Sequence, residues 1–197
     1  MWRATEMTAV DDHRMTQFFQ NLEVPEGVKV ELLRGNIVMM ATPDLVHNEI
    51  VESVQDQIPR PAWMRLQTQD VTIPGEASEP VPDLVVLARD DRPESGPLPS
   101  AVLAAVIEVV SKTSVDHDYG IKRSIYAAGK VPAYLIIDPV VAHCVLLTQP
   151  VGAGDEADYR TQQITKFGEP LPLPLLGMEL DTSEFGTYKG VRPHRRP

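Results

Sequence analysis

The stretch AVLAAVIEVV, residues 101–110, is the most apolar run in the chain, and its one polar side chain is Glu108. A strand with one face in water alternates apolar and polar residues. This run does not alternate, so it reads as an interior strand of a sheet covered on both faces. Glu108 is then a problem, because an ionised carboxylate buried alone costs several kcal/mol and no Lys or Arg lies within the run. It must be neutral, paired or bound to a cation, unless it ends the strand and faces solvent.

Downstream, SKTSVDHDYGIKRSIYAAG (111–129) has the pattern of a helix capped by Thr113 or Ser114, with Gly129 past its end. AYLIID (133–138) and HCVLLT (143–148) form a strand pair, and DYRTQQITKF (158–167) an edge strand. The prolines of the closing segment, 168–185, keep it out of a sheet interior. Upstream, VPDLVVLA (81–88) and WMRLQTQDVTI (63–73) are strands. TPDLVHNEIVESVQDQIP (42–59) is a helix with Thr42 as N-cap and Pro43 at its first position. KVELLRG and NIVMMA (29–41) make a hairpin in which Gly35 supplies the positive φ of the turn, and DDHRMTQFFQNL (11–22) is a short helix. This order predicts one α/β (α+β) domain, a mixed central β-sheet flanked by helices.

At 197 residues and 43% apolar, the chain can bury one hydrophobic core. Cys144 is the one cysteine, so no internal disulfide forms and a reducing cytoplasmic location is expected. No apolar stretch approaches the roughly 20 residues of a membrane span, and the N-terminus lacks the apolar core of a signal peptide. The net charge of −10 argues against holding nucleic acid by bulk electrostatics. It leaves room for a carboxylate cluster that a divalent metal neutralises. Glycine-rich phosphate loops, nucleophilic-serine motifs and Cys/His metal spacings are absent from the sequence.

A second acid, Asp83, stands just before the apolar strand LVVLA, after Pro82. If its strand neighbours that of Glu108, the two carboxylates meet at one point and supply hard oxygen ligands for Mg²⁺. On the helix after Glu108, Asp118, Lys122 and Tyr126 are spaced i, i+4, i+8 and share a face, beside an apolar stripe of Ile121, Ile125 and Ala128. This places Lys122 at the margin of the core with its ammonium in reach of Glu108. The plainer reading is an exposed Asp118–Lys122 pair worth a few tenths of a kcal/mol.

The succession VELLRGNIVMM, TPDLVHNEI, VPDLVVL and IEVVSKTSVDHDYGIKRSIYAAGKVPAYLIIDP resembles the bacterial Uma-type restriction endonuclease family, a branch of the PD-(D/E)XK nuclease superfamily. The resemblance covers residues 28–184 and implies a restriction-endonuclease-like domain there, after an N-terminal helix and lead-in (1–27). The basic residues 185–197 are expected to form a flexible tail. Carried over residue by residue, the resemblance makes Asp83, Glu108, Glu31 and the backbone carbonyl of Val109 metal ligands. The superfamily's lysine two positions after the second acid is replaced here by Val110, and the resemblance moves that role to Lys122. The catalytic set is therefore Glu31, Asp83, Glu108 and Lys122, bordered by His47, Ser111 and Tyr126.

The function implied is Mg²⁺- or Mn²⁺-dependent hydrolysis of phosphodiester bonds in DNA, by a homodimer or with a partner that supplies recognition, and with no membrane role. The alternatives are a catalytically silent binding or assembly protein on the same fold and an RNA-directed nuclease.

Overall fold

The computed structural model describes residues 9–24, 26–41 and 43–196, with the side chains of 9–13 and 41 left aside. Helix α1 (Ala9–Gln20) precedes the hairpin β1 (Val28–Leu33) and β2 (Asn36–Ala41). The hairpin turns as expected, with Arg34 and Gly35 both at positive φ, 49° and 72°. Paired positive φ angles match the twist of the flanking strands. Helix α2 runs Leu45–Gln57. The expected cap, Thr42, lies outside the described residues; Asp44 is the N-cap, its carboxylate accepting the His47 N–H.

A six-stranded sheet follows, built from β3 (Trp63–Gln67), β5 (Leu84–Ala88), β7 (Leu103–Val109), β8 (Ala133–Asp138), β9 (His143–Val151) and β10 (Asp158–Lys166), in the order β10-β9-β8-β7-β5-β3. Strand β7 carries the run at 101–110. It lies in the sheet interior, parallel to β8 and antiparallel to β5. Two short pairs lie outside the main sheet: β4 (Val71–Thr72) with β6 (Leu98–Pro99), and β11 (Leu171–Leu173) with β12 (Met178–Leu180). The stretch expected as one strand at 63–73 is therefore split between β3 and β4.

Each face of the sheet has its own core, which explains why β7 does not alternate. Val106, Tyr134, Ile136 and Val145 pack with Ile125 and Tyr126 of the helix after β7, while Ile107, Leu135, Ile137 and Leu146 pack with Ile50, Val51 and Val54 of α2. That helix enters through Val115 and Asp116, passes through a π-turn, His117–Ile121, and continues as α3, Lys122–Ala128. Such single π-turns concentrate at functional sites.

Helix α3 ends at Gly129, whose carbonyl accepts the Ser100 hydroxyl at 2.8 Å. A Cβ at Gly129 would lie 2.9 Å from Ile73 Cδ1 and 2.9 Å from Ser100 Oγ, both on buried residues. Gly129→Ala is expected to destabilise the protein by about 1–3 kcal/mol through overpacking, read as an earlier urea midpoint with an unchanged slope.

Residues 185–196 depart from the expectation of a flexible tail. Phe185 and Tyr188 are buried, the Tyr188 N–H donates to the Pro139 carbonyl at 3.0 Å, and His194 Nε2 lies 2.7 Å from Asp138 Oδ2. The segment is tied down because its aromatic and histidine side chains meet apolar surface and a fully buried carboxylate, which a bare reading of basic and proline content does not reveal.

Candidate active site

The sequence sets Asp83 immediately before β5 and Glu108 near the end of β7. Leu84 pairs with Ile107, so one step further along the register Asp83 stands across from Glu108. Cross-strand neighbours project from the same face. The Val109 N–H donates to Asp83 Oδ2 at 2.9 Å, which fixes the Asp83 carboxylate against β7. The expected contribution of Val109 was its carbonyl; the contact observed is through its N–H.

Lys122 is buried more deeply than the sequence suggested. It is 1% exposed rather than at the core margin, because the sheet and the hairpin close over it together. Its ammonium lies 2.8 Å from Glu108 Oε1, 3.0 Å from Glu31 Oε2 and 3.6 Å from Asp118 Oδ1. The exposed Asp118–Lys122 pair is thus replaced by a buried four-residue cluster. Tyr126, expected at the border, donates its hydroxyl to Glu108 Oε1 at 2.7 Å.

Glu31 comes from β1. Its Oε1 accepts the Val81 N–H at 2.7 Å, clamping the segment that leads into Asp83, while Oε2 accepts no hydrogen bond among the described residues and lies 3.0 Å from the Lys122 ammonium. His47, on the first turn of α2, reaches Asp83 Oδ2 at 2.9 Å. Ser111 lines the adjoining cleft, and its N–H donates to Ser114 Oγ, a capping contact.

Two neighbours were not foreseen as part of the site. Lys29 Nζ lies 3.1 Å from Asp83 Oδ1. The signal for it was present, since Lys29 stands two residues before Glu31 and shares its strand face. Tyr188 also lines the cleft, with Lys112 Nζ 4.7 Å from its ring centroid. Nothing in the local sequence pointed there.

The electrostatics separate the two strand carboxylates. Burial would raise Asp83, but Lys29, the hydrogen bond from His47 and Lys122 outweigh it and hold the group well below the ordinary carboxylate range. Burial also raises Glu108, and one ammonium shared among three carboxylates does not compensate it, so its carboxyl is pushed up to about 8. Asp118 is raised by burial as well. Lys122 is held well above its usual value, because the surrounding carboxylates overcome the burial that would lower it. Pairs of acids whose environments drive their pKa values apart are typical of reactive sites.

The donor chemistry suits a hard divalent cation. Glu31, Asp83, Glu108 and Asp118 are all buried, and among the described residues the basic side chains paired with them are Lys122, Lys29 and His47. Among the described residues no group of three or more His, Cys, Asp or Glu side chains is arranged to hold a metal. A Mg²⁺-type ion asks for less, since it is commonly held by one or two carboxylates with water and substrate phosphate completing its shell. Asp83 and Glu108 are the two of these acids that stand opposed across β5 and β7.

The cluster opens to solvent through a cleft of about 240 Å³ lined by Asp83, Glu108, Lys122, His47 and Lys112 among others. A second cleft of about 850 Å³, walled by Phe19, Val24, Val30 and Val81, joins it at Lys29, Pro43 and Asp83.

A mixed sheet with acids opposed on adjacent strands and a lysine delivered from the next helix agrees with the restriction-endonuclease-like fold that the sequence resemblance implies. The family model described as "Putative restriction endonuclease" (Uma2) matches residues 16–183, and the chain belongs to that family. It is similar in fold to the crystal structure described as "a putative nuclease belonging to DUF820" from Anabaena variabilis, at 17% identity and a TM-score of 0.62, over 86% of this chain and 96% of that one. No curated protein matches the chain. No helix among the described residues is long and apolar enough to cross a membrane.

Proposed function

We propose that the protein is a metal-dependent endonuclease that hydrolyses phosphodiester bonds in DNA. The observation that carries this reading is a buried cluster with more carboxylates than cations, opening on a cleft at one end of the sheet. Asp83 and Glu108 would hold Mg²⁺ or Mn²⁺, with Glu31 and the Val109 carbonyl beside them. An ion so held supplies polarisation of the scissile phosphate and a more acidic water. Lys122 would orient the attacking water and offset the charge that builds on the phosphate oxygens. Lys29, at the junction of the two clefts, would take a phosphate oxygen, while His47 and Tyr126 keep the Asp83 and Glu108 carboxylates in position.

Incubating the purified protein and plasmid DNA with Mg²⁺ or Mn²⁺ tests the reading. Nicking that needs the ion and disappears in Asp83→Asn supports it; nicking unchanged by chelator removes it. An RNA substrate run alongside separates the RNA-directed alternative. A homodimer with a composite groove belongs to the same proposal, and light scattering of the same preparation measures it.

A silent binding or assembly protein draws support from Asp83, whose two oxygens already take Lys29, His47 and the Val109 N–H. Calorimetric titration with Mn²⁺ distinguishes the two, because a purely structural cluster binds no ion.

The raised Glu108 pKa sets a pH dependence. The folded protein keeps a proton there that an ordinary glutamate, at 4.5, has released, up to about 8. Its contribution to stability is therefore complete below the first value and is lost as pH rises through the second. Metal competes with that proton, so Mn²⁺ is expected to raise the thermal midpoint more at about pH 9 than at about pH 6. Equal shifts at both would contradict the assignment of Glu108 as a ligand.

A further inference from the structure

A chain of net charge −10 must hold a polyanion by local means, and one short stretch is rich in positive charge and free of acids. Residues 188–196 carry four of the 18 Lys and Arg and none of the 28 Asp and Glu. This segment is fixed at both ends to the end of the sheet that bears the site. At one end Tyr188 lines the catalytic cleft, its N–H on the Pro139 carbonyl and its ring under the Lys112 ammonium. At the other, His194 Nε2 shares the buried Asp138 Oδ2 with the Tyr119 hydroxyl, at 2.7 and 2.8 Å, and packs edge-on against the Tyr119 ring. Arg196 is paired to Asp116 at 2.7 Å.

Asp138 ends β8, and β8 runs parallel to β7, so this anchor stands beside the strand end that carries Glu108 and Val109. Between and just beyond the anchors, Lys189, Arg192 and Arg195 reach solvent, and no ion pair is formed by them among the described residues. These three cations sit on a backbone anchored beside the cleft, and among the described residues they have no acidic partner to neutralise.

We infer that residues 188–196 form a phosphate-binding arm, which grips the sugar-phosphate backbone of a nucleic-acid substrate beside the cleft through Lys189, Arg192 and Arg195. The inference rests on the nuclease reading above and adds the surface that holds the substrate. The arm touches phosphates only, so it contributes affinity and registers the strand without reading sequence. It offsets the repulsion between DNA and an acidic domain by placing cations where the cleft needs them.

The test is a salt titration of binding to a short DNA duplex in the presence of Ca²⁺ in place of Mg²⁺, with the wild-type chain and the triple variant Lys189→Gln/Arg192→Gln/Arg195→Gln. Tyr188, His194 and Arg196 are retained, so the anchors stay. Removing one cation from a phosphate lowers the slope of log affinity against log salt by about 0.9, so the variant is expected to show a slope shallower by about 2.7 and an affinity on the order of 10²-fold weaker at low salt. Its thermal midpoint and its Mn²⁺ affinity should match wild type. An unchanged slope in a wild type that does bind and cleave overturns the arm and leaves the nuclease standing. A wild type that neither binds nor cleaves DNA or RNA overturns the nuclease reading itself. Binding to phosphatidylserine vesicles that disappears in the variant, with DNA binding intact, would reassign the arm to a membrane surface and overturn the inference.

Discussion

Lys122→Met is expected to destabilise the protein by about 3–5 kcal/mol and to abolish cleavage. The ammonium is 1% exposed and stands within ion-pair distance of Glu31, Glu108 and Asp118. Methionine fills a similar volume and supplies no charge, so the effect is electrostatic rather than a cavity. Removing one partner of a buried ion pair leaves charge uncompensated in a medium that solvates it poorly, which gives the magnitude above. For a domain of this size it corresponds to a fall in thermal midpoint of roughly 6–20 °C. Adding Glu31→Gln to Lys122→Met removes a stranded charge and should restore part of the midpoint, with no return of nicking. A Lys122→Met protein as stable as wild type would show that the cluster is not held by its ion pairs. One that still nicks plasmid would end the role of Lys122 in chemistry.

Asp83→Asn should reduce the rate of cleavage by about 10²–10³ or more, with a smaller loss of stability of about 1–3 kcal/mol. The amide keeps the shape of the carboxylate and one acceptor. It cannot accept from Lys29, His47 and the Val109 N–H together, as Asp83 does at 3.1, 2.9 and 2.9 Å, and its own N–H₂ must then face a donor. The loss of charge also removes one of the two strand carboxylates proposed to hold the ion. The readouts are initial rates on plasmid DNA and urea unfolding of the same preparation. A full rate with weakened folding would assign Asp83 to structure alone.

Much of this arrangement is local and was therefore legible. The run at 101–110 announced a doubly covered strand because packing on both faces leaves no place for alternation. The hairpin was readable from Gly35, since its turn needs positive φ, which glycine adopts freely, although Arg34 beside it takes positive φ as well. The helix after β7 was readable from its apolar spacing, which brought Lys122 to the side of Glu108. Its π-turn was not, because a single turn of i→i+5 bonding within a helix carries no residue signature of its own.

What the sequence alone determined is that two acids begin and end core strands, that a lysine follows on the next helix, and that such charges require compensation. Their pairing was decided only by the tertiary structure. Lys29 reaches Asp83 across 54 residues and His47 across 36, contacts that exist because β1 and the first turn of α2 both come to the end of the sheet where β5 begins. The depth of Lys122 and the anchoring of the basic C-terminal segment on Asp138 have the same origin. Local propensity sets which way a strand or helix runs, whereas the surroundings of a charge are set by whichever distant elements close over it.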